Sequence, residues 1–340
     1  MKKPALLIFT LIFCTTLTAC DTDKLIESGT DGFYASDRLA DGIYIAYDRT
    51  EFDNVTAPKC YYAEYQKVED DFLFGFFSSE PSYDENTHLY YTDTEGGWNT
   101  ENQISRKGGN ESFYNMGYFT KSGDDYYTAA FENFRNYPTT REFDFMTHEE
   151  VKSDFLDKTK AVFPTELEIN IYAIDAESYL KEAQAYDSSQ KLLHPNSSKE
   201  WSAAADFYYV RAYQLIDGIP ICENMSGDFN NGTLVDGYTI SAVYTENGLE
   251  HLKITMPRRA VKETPTENKF IDLKGAEDII KAENAKLLTS KEQTIESVSL
   301  VYLPIYTGEA TLLTPVWRFC GDTGPLAPLY MINAYTGEVL

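Results

Sequence analysis

The chain has 340 residues, a length that accommodates two or three domains with sizeable hydrophobic cores. Its 54 acidic and 29 basic side chains give a formal net charge of −25, so nucleic acid and anionic lipid surfaces would repel it. Beyond the first 19 residues, no stretch reaches the roughly 18 consecutive apolar residues of a membrane-spanning helix. The composition argues against nucleic acid as a partner and predicts no spanning helix in the body of the protein.

The first 19 residues have the three parts of an export signal. A positively charged start is followed by the apolar run Ala5–Phe13, which is too short for a permanent anchor, and then by the small-residue segment Leu17–Cys20. This last segment resembles the lipobox of bacterial lipoproteins. The resemblance implies cleavage between Ala19 and Cys20 and a diacylglycerol group on the Cys20 thiol.

Lipid on Cys20 would supply the two acyl chains that stable membrane attachment needs. We therefore expect the protein to be anchored through membrane lipid on the extracytoplasmic side of the cell membrane. Loss of residues 1–19 removes Lys2 and Lys3 and no acidic residue, which leaves a mature net charge of −27. A conventional secretory signal with an unrelated cysteine is the alternative.

Three cysteines remain once Cys14 leaves with the signal peptide and Cys20 carries lipid. They allow at most one disulfide, which is no disulfide framework. Each has apolar or aromatic neighbours, which favours the role of a small buried hydrophobic residue. These cysteines are Cys60, Cys222 and Cys320.

Residues 20–35 are predicted to form a tether, and residues 36–145 a β-rich region dense in aromatic and turn residues. Its short apolar segments, separated by glycine-containing turns, are typical of an antiparallel meander. The candidate strands are Gly42–Tyr47, Tyr61–Tyr65, Phe72–Phe77, Leu89–Tyr91, Phe113–Tyr114 and Tyr126–Tyr127.

Residues 146–262 are predicted to form a unit of helices and antiparallel strands. Thr147–Glu150 has the capping-box pattern of a helix start, and this helix should end before Pro164. A strand with one wet face follows at Leu167–Ala173, and Asp175 can cap a second helix that runs to Tyr186. Later strands are joined by turns at Asp217–Gly218 and Asn247–Gly248: Phe207–Leu215, Ile219–Cys222, Tyr238–Tyr244 and Leu249–Met256.

A proline-rich, charged segment at Pro257–Lys269 is predicted to join this unit to the last one, residues 263–340. There a helix over Leu273–Leu288 precedes three strands, Val298–Ile305, Leu312–Phe319 and Leu329–Ala334. Because the order of helix and then antiparallel strands occurs twice, we expect an α+β protein with two similar units after the β-rich region.

The segment Ile332–Val339 reads Ile-Asn-Ala-Tyr-Thr-Gly-Glu-Val and is similar to the closing signature of PepSY-type domains. Upstream lie a strand with Tyr302 and Pro304 and the segment Leu313–Phe319. Their order resembles that in the C-terminal lobe of YycI/YycH-like regulatory proteins and of uncharacterised exported lipoproteins. The middle unit, with Ile216–Pro220, resembles a divergent copy. The resemblance covers about residues 146–340 and implies regulation or inhibition through contacts between proteins, without a shared catalytic residue set.

No catalytic or cofactor motif accompanies this pattern. His148–Lys152 begins like a zinc-protease helix but has lysine at the position of the second ligand, so His148 is expected on the surface of a first helical turn. Asp228–Gly232 begins like a calcium loop, but lacks the glutamate at the twelfth position. We therefore expect no enzyme, no cofactor and no metal site.

Three function classes remain open, of which a hydrolase with an unrecognised site ranks last. A non-catalytic module that binds or regulates an envelope protein is favoured. The alternative is a lipoprotein that binds carbohydrate or peptidoglycan, because tyrosine and tryptophan rings stack on sugars. Its candidate residues are Tyr61, Tyr62, Tyr90, Tyr91 and Trp98. Trp317, on an alternating segment, is expected in the core.

Overall fold

The computed structural model describes residues 37–66, 72, 75–76, 80–85, 89–92, 96–103, 112–120, 134, 137–163, 166–179, 206–222, 234–235, 239–255, 257–266, 268–286, 292–306, 310–321 and 328–340. Within these ranges the structure has 18 strands, two α-helices of 12 residues each, and α-helical residues at 72 and 176–179. Residues 176–179 begin the predicted second helix, whose remainder lies outside the described residues. In chain order the strands are β1 (Asp37–Ala40), β2 (Ile43–Ile45), β3 (Cys60–Tyr65), β4 (Ser82–Asp84), β5 (Leu89–Thr92), β6 (Gly96–Gln103), β7 (Ser112–Phe119), β8 (Leu167–Ile174), β9 (Phe207–Ile216), β10 (Ile219–Pro220), β11 (Leu234–Val235), β12 (Thr239–Thr245), β13 (Gly248–Thr255), β14 (Arg258–Thr264), β15 (Gln293–Ile295), β16 (Ser297–Tyr306), β17 (Thr311–Cys320) and β18 (Tyr330–Asn333). The helices are α1 (His148–Thr159) and α2 (Leu273–Asn284).

The named strands form three groups of hydrogen-bonded neighbours. A nine-stranded sheet has the order β10-β9-β12-β13-β7-β6-β5-β4, and β8 also pairs with β9. A six-stranded sheet has the order β11-β16-β17-β3-β14, and β18 also pairs with β17. A three-stranded sheet, β1-β2-β15, includes a parallel pair between β2 and β15.

The predicted α+β class with two helix-plus-sheet units is wrong, because the protein is mostly β and its sheets mix the predicted regions. Strand β7, from the β-rich region, pairs along β13, and β3 pairs with both β14 and β17. These pairings cover strand edges that a separate helix-plus-sheet unit would leave exposed. The helix-then-strands order in the sequence is real, but the strands do not form two separate units.

Both helices begin where their capping residues predict. The Thr147 and Glu150 side chains form the expected capping box, and α1 buries Val151, Phe155 and Thr159 at a spacing of four residues. Helix α2 begins after Asp272, whose carboxylate accepts a hydrogen bond from the Gly275 N–H at 2.8 Å.

Two other local predictions are wrong. The segment predicted as a joint contains strand β14. Its many charged residues suit the edge of a sheet, which is where β14 lies. In the predicted strand Phe72–Phe77, Phe72 is helical, and Gly75 and Phe76 lie in a turn. The predicted strand at Tyr126–Tyr127 lies outside the described residues.

The turn and core predictions are confirmed. Asp217 and Gly218 join β9 to β10 with φ values of 50° and 77°, and Gly337 has a φ of 73°. Trp317 lies on β17 and is fully buried in the cluster that includes the apolar side of α2. Its indole N–H donates to the Ile271 carbonyl oxygen at 2.8 Å.

A side-chain amide joins the two large sheets. The backbone N–H of Arg258 donates to Gln214 Oε1, and Gln214 Nε2 donates to the Arg258 carbonyl oxygen, each at 2.9 Å. Gln214 lies on β9 and is fully buried. Its side-chain amide makes the same two hydrogen bonds to β14 that a backbone peptide group of a neighbouring strand would make. Both of these polar groups are thereby satisfied in the core between the sheets.

A buried carboxylate ties the start of the described chain to α2. Glu277 accepts hydrogen bonds from the Tyr47 hydroxyl at 2.8 Å and from Arg49 Nε at 2.7 Å. Burial and the bond to Glu277 raise the pKa of Tyr47 well above its usual range. These contacts fix the 3-10 helix Arg49–Phe52 against the body of the protein. In the ranges given above, no helix is long and apolar enough to cross a membrane.

Candidate functional site

A cavity of about 640 Å³ lies beside the second half of α1. Its volume falls within the roughly 300–1,000 Å³ typical of ligand pockets. Three parts of the chain contribute walls: α1 and the residues after it, an aromatic side, and the turn between β12 and β13. We call this cavity the α1 cavity; it is lined by Phe72, Gly75, Phe76, Tyr118, Met146, Asp154, Asp157, Lys158, Lys160, Ala161, Asn247, Gly248 and Leu249.

The aromatic wall consists of three rings in contact. The Phe72 and Phe76 ring centroids lie 5.3 Å apart at an interplanar angle of 75°. Phe76 lies 5.3 Å from the ring of Tyr118, which comes from β7. Because all three pack against the large hydrophobic core, this wall is held in place from behind. It gives the cavity an apolar, aromatic side.

The hairpin wall is fixed by a buried carboxylate. Glu250, on β13, is only 5% exposed and accepts hydrogen bonds from the Thr245 hydroxyl at 3.0 Å and from Asn247 Nδ2 at 3.1 Å. Its second oxygen accepts from the Thr120 hydroxyl at 2.9 Å, which links the turn to the end of β7. Gly248 has a φ of 91°, a conformation that favours glycine. The turn at Asn247 is therefore held rigidly against the cavity.

The α1 wall carries two ion pairs. Lys158 Nζ lies 2.7 Å from the Asp154 carboxylate, and Lys160 Nζ lies 3.1 Å from that of Asp157. The side chains of the second pair are 73% and 72% exposed, so solvent screens their attraction. The pair of Lys158 and Asp154 is less exposed, at 38% and 32%, and is therefore less screened.

A buried tyrosine lies close to this charged wall. Tyr244 on β12 is fully buried; burial and then the negative charge of Asp154 raise the pKa of its hydroxyl well above the usual range. The hydroxyl therefore stays protonated. A side-chain hydrogen bond with Asp154 raises the pKa in the same direction.

The residues singled out from the sequence lie elsewhere. Cys20 and Ala19 lie outside the described residues, as does the Asp228–Gly232 segment. His148 is half-buried rather than fully on the surface, because its ring packs at 5.1 Å against that of Tyr208. The described ranges contain no group of three or more histidine, cysteine, aspartate or glutamate side chains placed to hold a metal ion.

The cysteines expected as small core residues are free thiols. Cys222 and Cys320 are buried as expected, whereas Cys60 on β3 is only half-buried. Burial raises the pKa of the Cys60 thiol to about 11. The Cys60 thiol is therefore protonated at neutral pH, which disfavours nucleophilic reactivity.

The candidate sugar-binding residues fall into two groups on different sheets: Tyr61 and Tyr62 lie on β3, whereas Tyr90 on β5 is the cross-strand partner of Trp98 on β6. The Tyr61 ring packs edge-on against Tyr302 at 6.1 Å, and its hydroxyl bonds to Asp217. Tyr62 and Tyr91 are exposed but belong to different sheets, on β3 and β5. The side chains of Tyr90 and Trp98 lie outside the described residues.

Sequence reasoning missed the α1 cavity. The aromatic run from Phe72 to Phe77 was a signal, but it resembles a core strand. Asp154 and Lys158, four residues apart, resemble an ordinary solvated helix face. Nothing local shows that these two segments face the same hairpin turn.

No protein-family model and no curated protein matches the chain. Among solved structures, the chain is similar to an uncharacterized protein from Eubacterium rectale ATCC 33656, with a TM-score of 0.54 and 15% sequence identity. The match covers 90% of this chain and 92% of that one. At this identity the likeness shows a shared fold that extends over nearly the whole chain, and it shows nothing about function.

Proposed function

We propose that the protein is a lipid-anchored, extracytoplasmic and non-catalytic binding protein that contacts an envelope protein through the α1 cavity. The observation that carries this proposal is the cavity itself, which is lined both by an aromatic cluster and by the ion pairs of α1. Such a site buries an apolar side chain while its charged edge pairs with polar groups of the partner.

Surface next to the cavity favours a protein partner over a small molecule. Leu156 on α1 is 39% exposed and lies one turn before Lys160 on the same helix face. A small ligand held inside the cavity would not contact Leu156. A protein segment lying across α1 would cover this side chain. The proposal does not depend on the PepSY-like resemblance, which no family model supports.

Site-specific cross-linking in intact cells tests the contact. A photoreactive amino acid at Leu156 of the full-length lipoprotein should give one envelope protein adduct. The control places the same group at Val261 on β14, which is apolar and 44% exposed but remote in sequence from the α1 cavity. We expect no adduct there. Failure to recover a protein from position 156, together with a positive peptidoglycan pull-down, would favour the carbohydrate-binding alternative.

The anchor has its own test. Cys20→Ala should prevent lipid attachment and move the protein from the detergent phase to the aqueous phase on phase partitioning. Mass spectrometry of the parent should yield a diacylated peptide that begins at Cys20. Identical partitioning of parent and variant, with no lipidated peptide, would contradict the lipobox assignment.

A further inference from the structure

We infer that the protein forms a symmetric dimer in which strand β8 pairs antiparallel with β8 of a second copy. The inference does not depend on the α1 cavity or on the proposed function. Its basis is an eight-residue strand at one end of the nine-stranded sheet, paired on one side with β9. The outer edge of this strand is open over most of its length, and its sequence is complementary to itself.

The outer edge of β8 carries backbone groups without hydrogen-bond partners. Because β8 and β9 pair without a break in register, the residues of β8 point alternately toward β9 and away from it. The N–H of Ala173 donates to the Pro138 carbonyl oxygen at 3.0 Å, so Ala173 points away from β9. Leu167, Ile169 and Ile171 point the same way, and within the described ranges their outward N–H and C=O groups form no hydrogen bond.

Strand β8 also lacks the features that protect sheet edges from pairing with another chain. Strand β4, at the other end of the same sheet, has only three residues. Strand β14, at the edge of the six-stranded sheet, carries four charged side chains and a bulge between Ala260 and Lys262. Strand β8 is longer than either, and it contains no lysine, no proline and no bulge.

The sequence of β8 is complementary to itself when two copies are centred on Ile169. Leu167 then lies opposite Ile171 of the second copy, and Ile169 lies opposite its own equivalent. These are the outward-pointing residues, so their open N–H and C=O groups bond to those of the second copy. On the other face Glu168 lies opposite Asn170, and an amide is a hydrogen-bond donor to a carboxylate. This register places no like charges opposite each other.

Pairing would also cover apolar surface. Leu167 and Ile169 pack against the large core but are only partly buried. A second copy lying beside them would remove part of their remaining surface from water. Because both copies contribute the same strand, the interface closes with two-fold symmetry and association stops at the dimer. The net charge of −25 opposes association, so the dimer should tighten as added salt screens this repulsion.

Sedimentation equilibrium of the full-length chain in density-matched detergent micelles measures the dissociation constant of the dimer. Asn170→Glu should weaken the dimer about tenfold, because two-fold symmetry places two pairs of like charges opposite each other. Asn170→Lys should tighten it about threefold, because the same positions then carry opposite charges. The matched control is Ser82→Glu on the edge strand β4, which should leave the dissociation constant unchanged. Melting temperatures of the three variants show whether the fold is intact.

Cysteine variants test the register. A mixture of chains carrying Glu168→Cys and chains carrying Asn170→Cys should form a disulfide-linked dimer on oxidation, since directly opposite residues lie within disulfide reach. Neither variant should form this link alone. The control is a mixture of Arg259→Cys and Glu263→Cys chains, with both changes on the edge strand β14, and it should give no link.

Three outcomes would overturn the inference. The first is a monomeric mass at every concentration and salt condition. The second is a dimer whose dissociation constant does not respond to Asn170→Glu. The third is a disulfide link that forms equally well from either cysteine variant alone, because the interface would then lie elsewhere. The cross-link from Leu156 tests the proposed function separately, whichever of these results is obtained.

Discussion

Trp317 offers the sharpest test of the core. The side chain is fully buried, its indole N–H donates to the Ile271 carbonyl oxygen at 2.8 Å, and the Phe52 ring packs edge-on at 5.6 Å. Trp317→Ala should lower the free energy of unfolding by about 3–5 kcal/mol, the usual cost of emptying a buried tryptophan site. Trp317→Phe keeps most of the apolar contact and loses the donor, so about 1–3 kcal/mol is expected for the unpaired carbonyl.

Urea unfolding followed by circular dichroism measures both values on residues 20–340 carrying Cys20→Ser, which removes the lipid. Val261→Ala on the exposed edge strand β14 is the control and should change the free energy by no more than about 0.5 kcal/mol. If Trp317→Ala matched that control, the tryptophan would not be part of a cooperative core. Equal losses for Trp317→Phe and Trp317→Ala would refute the separation into packing and hydrogen bond.

Two further changes test a turn and a titrating group. In the same urea assay, Gly337→Ala should lower the free energy of unfolding more than Gly218→Ala. The two φ values are similar, at 73° and 77°. A Cβ at position 337 would lie 3.2 and 3.3 Å from two isoleucine side chains, whereas a Cβ at position 218 would have no atom within 4 Å. We expect about 1 kcal/mol for Gly218→Ala and more for Gly337→Ala, and equal costs would contradict the crowding. Burial raises the pKa of Asp175, but hydrogen bonds from Ser178 and the charge of Arg141 outweigh it, and the pKa is lowered. Its stabilisation is therefore present above the unfolded pKa of about 3.9 and is lost as pH falls through the folded pKa. Asp175→Asn should cost about 1–2 kcal/mol at pH 7 and progressively less below pH 4, and a pH-independent cost would contradict the assignment.

The features that the sequence predicted correctly are local. The capping box at Thr147 and the turns at Asp217–Gly218 and Asn247–Gly248 each depend on residues within a few positions of one another. The burial of Trp317 followed from alternation within one strand. In each case the physical cause lies within a window that a single sequence displays.

The features that the sequence did not predict depend on distant pairing. Strand β14 is rich in charge and has a wet outer edge, so its composition resembles a linker, and only its pairing with β3 makes it a strand. The α1 cavity likewise needs Phe76, Asp154 and Asn247 to meet, although long stretches of chain separate them. Such meetings follow from sheet order, which local patterns do not encode.

The Glu277 contacts bear on how the protein would respond to mechanical load. If the protein is anchored through Cys20 as proposed, tension on the anchor would enter the described chain at Asp37, the first residue of β1. Strands β1 and β2 form an antiparallel hairpin, so this tension would open their hydrogen bonds one pair after another. Further along the chain, β2 pairs in parallel with β15. Tyr47 and Arg49 are bound by Glu277, which lies on α2. These bonds share the load and must break together. The hairpin would therefore yield first and lengthen the tether by a few residues, while the sheets around the α1 cavity keep their shape.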